Sequence, residues 1–132
     1  MNNIFMTKIS RIPLPKEDWE EFYEQLCNAL ALLETKKDIK DFLDDLLTYT
    51  EKRMVSKRVQ VARSLINGIT YNLIGTRLHV TDTMISAVND VLNTRGMGYV
   101  KIDNKLNEIE ENRLYKSMRL IKKARIASIR GN

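Results

Sequence analysis

The stretch Gly68-Ile69-Thr70-Tyr71-Asn72-Leu73-Ile74-Gly75-Thr76-Arg77-Leu78-His79-Val80-Thr81-Asp82-Thr83-Met84-Ile85-Ser86-Ala87-Val88 decides the fold. It reads as two short helices, Thr70 to Leu78 and Asp82 to about Asn93, joined through Leu78-His79-Val80-Thr81. Apolar residues at Ile74, Leu78, Val80, Ile85 and Val88 are spaced to pack the pair across a tight turn, leaving the front edge of the second helix exposed. His79 falls where such a turn needs a positive φ; glycine is preferred there, and His is among the few other residues enriched in that region. Thr81 can cap the second helix, and Asp82 suits the positive end of its dipole. The pattern predicts a helix-turn-helix over Thr70 to Leu92, with the start of the second helix able to enter a DNA major groove.

Working upstream, Thr48-Tyr49-Thr50-Glu51 is a capping box, a Thr hydroxyl for the third-residue amide and a Glu that reaches back. The helix it opens runs to about Asn67, with Met54, Val55, Val59, Ala62, Leu65 and Ile66 as its expected buried stripe, and Gly68 stops it. Thr35 with Asp38 signals a second helix bearing Ile39, Phe42, Leu43, Leu46 and Leu47. Trp19, Phe22, Tyr23, Leu26, Leu30 and Leu33 mark an amphipathic first helix, with Pro15 tolerated in its first turn and Glu17, Asp18, Glu20 and Glu21 at its positive end. Residues 1–14 carry no period and read as an extended arm.

Downstream, Gly96-Met97-Gly98 is expected to form a turn, and only Tyr99 to Ile102 has any strand character. From Asp103 to near Arg130 no breaker occurs, which implies a long last helix or one that frays. No proline follows Pro15. The predicted class is all-α: an N-terminal arm (1–14), a helical domain (15–100) and a basic C-terminal helix or tail (101–132).

The 132 residues suffice for one domain with a real core, and 43% hydrophobic with 30% charged residues is a soluble composition. The net charge of +5 conceals an asymmetry. Residues 1–50 hold ten acidic and six basic side chains, whereas residues 51–132 hold seven and sixteen, so the second part is the one suited to an anionic partner. No apolar run approaches a membrane span, and Met1 to Ser10 lacks the apolar segment and cleavage site of a secretory leader. The lone Cys27 cannot form an internal disulfide, which suits the reducing cytoplasm of a bacterial-type cell.

Over residues 40 to 100 the chain resembles the tryptophan-repressor-like family. The residues that carry the likeness are Leu47-Thr48-Tyr49-Thr50-Glu51 and the following helix to Leu65, the Gly68-Ile69-Thr70-Tyr71 start of the helix pair, Met84-Ile85-Ser86, and Gly96-Met97-Gly98-Tyr99. The closest likeness is to the small uncharacterised regulators of that family. The resemblance implies an intertwined homodimer that places two reading helices about one DNA turn apart. It also implies a ligand site that this chain only half retains. Arg58 stands at one arginine of the tryptophan pocket, but the second falls on Ala87. Without that guanidinium to pair a carboxylate, tryptophan is disfavoured, although a small-molecule effector of another kind fits the family. Arg58 is better read as a surface or interface ion pair.

Candidate base-reading residues are Thr81, Thr83, Met84 and Asn89, since Asn can pair bidentately with adenine. Asp82 and Asp90 would repel phosphate, and the second helix has no Lys or Arg before Arg95. Positive contacts must then come from flanks such as Lys57, Arg63 and Arg77; Thr70, Tyr71, Arg77, Arg95 and Lys101 are the phosphate candidates chosen. The tail adds Arg113, Lys116, Arg119, Lys122, Lys123, Arg125 and Arg130 without an acidic partner. A helix aligns Lys116, Arg119, Lys123 and Arg130, with Leu106, Ile109, Leu114, Leu120, Ile121 and Ala124 on another side. That arrangement predicts either a helix packed on the partner subunit with its basic stripe toward DNA phosphates or a solubilising, partly disordered tail.

An enzyme is not expected. One His and one Cys assemble no dyad or metal cluster, Asp41, Asp44 and Asp45 read as a solvated face, and no phosphate-cradling glycine motif is present, so neither cofactor nor metal is assigned. A membrane-surface helix is disfavoured because the tail offers no Trp or Phe to insert. RNA is disfavoured because the aromatics fall mostly at core-period positions. The expected function is sequence-specific DNA binding by a homodimeric transcriptional regulator. The rivals are a helical interaction module that has lost DNA reading, and a non-specific architectural DNA binder.

Overall fold

The computed structural model describes residues 12–131, so most of the arm expected over residues 1–14 lies outside the described residues. Six helices follow in chain order: α1 (Lys16–Ala31), α2 (Lys36–Leu46), α3 (Tyr49–Ile66), α4 (Tyr71–Leu78), α5 (Asp82–Thr94) and α6 (Met97–Arg130). No strand occurs among the described residues, and the fold is all-α as the periodicity predicts.

Local chemistry places most helix ends. Thr35 accepts from the Asp38 amide at 3.1 Å to open α2. At α3 the capping box is complete: Glu51 N–H donates to Thr48 Oγ1 at 3.1 Å, and Thr48 N–H donates to Glu51 Oε1 at 2.9 Å. Gly68, with φ of +76°, ends α3 in the left-handed conformation that glycine takes without a Cβ clash. Pro15 is the N-cap of α1, one position before the first-turn site expected for it, and makes no side-chain cap bond.

The chain divides into two compact units, the first ending at Ser56 and the second beginning at Lys57. In the first, neither α1 nor α2 has a buried residue. The apolar stripe of α1 forms as expected but is open on a single chain, with Trp19 still 56% exposed. The second unit has a core of Val61, Ala62, Ile74, Ile85 and Val88, ringed by half-buried Leu65, Ile69, Leu78, Val80 and Leu92. Within α3 the buried positions are Val61 and Ala62, while Met54, Val55 and Ile66 of the expected stripe remain more than a third exposed.

After α5 the structure departs from the sequence expectation. The turn is confined to Arg95 and Gly96, and Gly98 already lies in α6. Gly96 turns the chain alone, at φ of +48°, in a space where a Cβ would come within 2.8 Å of Leu92 Cα. Tyr99 to Ile102 is helical as well. It has no neighbouring strand to satisfy its backbone, whereas a helix satisfies it internally and turns Tyr99 onto the core.

Candidate nucleic-acid interface

The helix pair α4–α5 is built around His79, which adopts φ 53° and ψ 55°, the left-handed conformation anticipated for the turn. That geometry closes α4 and lets Val80 reach the core within one further residue. Lys57 on α3 donates from Nζ to the His79 carbonyl at 3.0 Å, so this lysine, a candidate phosphate contact, instead secures the turn. Thr81 accepts from the Met84 amide at 3.2 Å and caps α5. Thr70 does the same for α4, accepting from Leu73 N–H at 3.4 Å. In both threonines the hydroxyl proton stays available to donate to a base or phosphate oxygen.

Ile85 and Val88 turn one side of α5 inward. Its opposite side exposes Asp82, Thr83, Ser86, Ala87 and Asp90, residues at helical steps on one surface. Of the base-reading candidates, Thr81 and Thr83 are exposed at the start of the helix, and Asn89 is half-buried at the border of this surface. Met84 is half-buried and packs against the core, so only part of it faces outward. Ser86 was missed by sequence reasoning. It lies one helical step beyond Thr83 with a donor and acceptor hydroxyl, and counting from Thr83 alone would have found it.

Among the phosphate candidates, Arg77 is exposed in the last turn of α4, Arg95 is exposed at the C-cap of α5, and Lys101 is exposed in α6. None of the three forms an ion pair among the described residues. Tyr71 is half-buried against the core, where its ring supports the start of α4. Arg63 does not belong with them. It donates to Asp103 at 2.7 Å, to Asn107 at 2.9 Å and to Glu110 at 3.2 Å, and these partners occupy the guanidinium. The Asp103 hydrogen bond, followed by that to Glu110, raises its pKa above the ordinary arginine value.

Lys116, Arg119 and Lys123 are exposed on α6. Lys123 lies about 33 Å along the helix axis from Lys101. Arg58 is exposed on α3 and Ala87 on α5.

One expectation about aromatics needs correction. Trp19, Phe22, Tyr23, Tyr49 and Tyr115 are each more than half exposed, so core burial does not account for them. On α1, however, the Trp19–Tyr23 pair, with centroids 5.7 Å apart, sits among Glu17, Asp18, Glu20 and Glu24. That acidic setting repels a nucleic-acid strand, whereas Tyr49 lies under Arg53 at 5.4 Å and Tyr115 lies between Arg113 and Lys116. Among the described residues no group of His, Cys, Asp and Glu could hold a metal ion, and no helix is long and apolar enough to cross a membrane.

A family model described as Trp repressor protein matches residues 20–107. The chain is 32% identical over 87 residues to the uncharacterized protein YerC of Bacillus subtilis (strain 168), an alignment covering 66% of this chain and 84% of that one. It is also similar to the crystal structure of a candidate Trp repressor from Staphylococcus aureus, with a TM-score of 0.64 and 28% identity, covering 72% of this chain and 96% of the other.

Proposed function

The chain belongs to the Trp repressor protein family, and from that premise we propose that it is a homodimeric transcriptional regulator that reads double-stranded DNA through α4 and α5. Members of this family are regulators rather than enzymes. The observation that carries the proposal is the left-handed His79 turn, which packs α4 against α5 yet leaves the capped start of α5 and its Thr83–Ser86 face open. Thr81, Thr83, Ser86 and Asn89, with the outward part of Met84, are the residues proposed to meet base edges. Thr70, Tyr71, Arg77, Arg95 and Lys101 position the helix by phosphate contacts, and the Lys116–Arg119–Lys123 side of α6 adds long-range attraction.

The homodimer is supported by α1 and α2 of the first unit, which bury no residue and leave an apolar surface that a second copy can cover. In this assignment residues 15–100 form the reading domain, 1–14 an arm and 101–132 a basic extension. The protein works in the cytoplasm, where its DNA is. An effector, if the regulator uses one, is not tryptophan, because Ala87 supplies no carboxylate partner.

Titrating the full chain against a random-sequence duplex pool across a salt series tests the proposal. Binding that weakens steeply as salt rises supports it. Absence of binding at the lowest salt overturns it, and would leave α4–α5 as a protein-interaction element.

A further inference from the structure

The family match ends at residue 107, yet α6 continues without interruption to Arg130. Its root is held by α3, since Asp103, Asn107 and Glu110 meet Arg63 along one face. Those positions advance by four and then three residues, and the same rhythm continues through Leu114, Ser117, Ile121 and Arg125, with Met118 beside it. The face that is acidic and partnered near the root thus opens farther out into apolar residues set among Ser117 and Arg125, with Leu114 63%, Met118 60% and Ile121 64% exposed. Arg113 and Lys122 border it. No acidic side chain follows Glu111, so the extension is uniformly basic.

The complementary surface is on α1. Trp19, Tyr23 and Leu30 form an exposed apolar stripe there, bordered by Glu17, Glu20 and Glu24 at three- and four-residue steps. The dimensions agree as well. The 16 residues of α1 span about 24 Å, and residues 113–130 span about 27 Å. Both surfaces are open on one chain. Pairing two extensions with each other would oppose seven basic residues with seven more, whereas pairing an extension with α1 opposes charges of unlike sign.

We infer that the α6 extension of one copy docks on α1 of a second copy, through the Leu114–Ile121 stripe flanked by Arg113, Lys122 and Arg125. The inference rests on the homodimer proposed above. The docked extension keeps its opposite side, with Lys116, Arg119 and Lys123, free to face DNA.

The test is sedimentation equilibrium of the full chain and three variants. Reversal on α6 (Arg113→Glu, Lys122→Glu, Arg125→Glu) and reversal on α1 (Glu17→Lys, Glu20→Lys, Glu24→Lys) should each weaken dimerisation about tenfold or more, because each places like charges opposite one another. The two reversals combined should restore the dimer to within about threefold of the original. All six side chains are exposed, so the helical circular dichroism signal should be retained in every variant. A dimer unaffected by either reversal, or weakened by both without rescue, overturns the docking while leaving the homodimer intact. An unaffected dimer with weakened DNA binding by the α6 reversal also overturns it, and assigns the extension to DNA. A wild-type chain that sediments as a monomer overturns both the docking and the homodimer.

Discussion

Arg63 on α3 and Asp103 on α6 are joined by a 2.7 Å hydrogen bond from Nε to Oδ1, with only 3% of the aspartate side chain exposed. The two residues are 40 positions apart, and the bond fixes where the longest helix leaves the core. Asn107 Nδ2 donates to the second carboxylate oxygen at 3.3 Å, which satisfies the buried group on both sides.

Arg63→Ala leaves the Asp103 carboxylate buried with only Asn107 beside it, and should destabilise the fold by roughly 3 kcal/mol. Replacing both partners by apolar residues, as Arg63→Met with Asp103→Leu, should cost less than Arg63→Ala alone. Chemical denaturation of the three proteins measures the difference. Because the folded state raises the pKa of Arg63, its contribution is fully present below the unfolded value and is lost only in strong alkali. No loss of the Arg63 contribution from its own titration is expected between neutral and mildly basic pH.

His79 holds φ of 53° with an exposed side chain. His79→Gly should keep stability within about 1 kcal/mol of wild type, since relief of the left-handed strain offsets the greater freedom of glycine when unfolded. His79→Val should cost at least about 1–2 kcal/mol, because a β-branched side chain fits that conformation worst. Thermal melts monitored by circular dichroism would rank the three proteins.

Asp90 lies on the exposed side of α5 that the proposed interface uses. Asp90→Asn removes a charge that repels phosphate and should tighten binding to duplex DNA about two- to fivefold, with most of the gain at low salt. Thr83→Ala and Ser86→Ala should leave non-specific affinity nearly unchanged and instead relax base preference, by about 1 kcal/mol or more at the affected position. Fluorescence anisotropy with single-base-changed duplexes separates the two effects.

Arg77 and Lys101 are exposed and outside any ion pair among the described residues. Arg77→Ala and Lys101→Ala should each weaken binding across all sequences and reduce the slope of log affinity against log salt by about one. Arg63→Met together with Asp103→Leu should leave that slope unchanged, because the Arg63 guanidinium is already occupied within the protein.

The elements legible in the sequence are those that close within a few residues. Thr35, Thr70 and Thr81 each cap an amide three positions on, Thr48 and Glu51 satisfy one another, and His79 is identified by the conformation its turn requires. The expected turn over Gly96-Met97-Gly98 is too long because composition alone does not say which glycine turns the chain; the close approach of Gly96 to Leu92 decides it. Arg63 reads as a free cation because its partners are 40 or more positions away. The stripe on α1 was legible as amphipathic, but periodicity does not specify whether the chain itself or a second copy covers it. For the reading surface, Thr81, Thr83 and Ser86 follow from the cap, the helix start and one further helical step, while the partial burial of Met84 depends on how α5 packs on the core.

The most direct measurement is to sequence the duplexes that the full chain retains from a random pool, at one low and one higher salt concentration. A DNA-reading homodimer predicts enrichment of a two-fold-symmetric site, with half-sites centred about 34 Å apart and enrichment sharpening as salt removes non-specific binding. Retention without any enriched sequence at either salt would contradict base reading by α5. Enrichment of a single half-site without symmetry would contradict the homodimer.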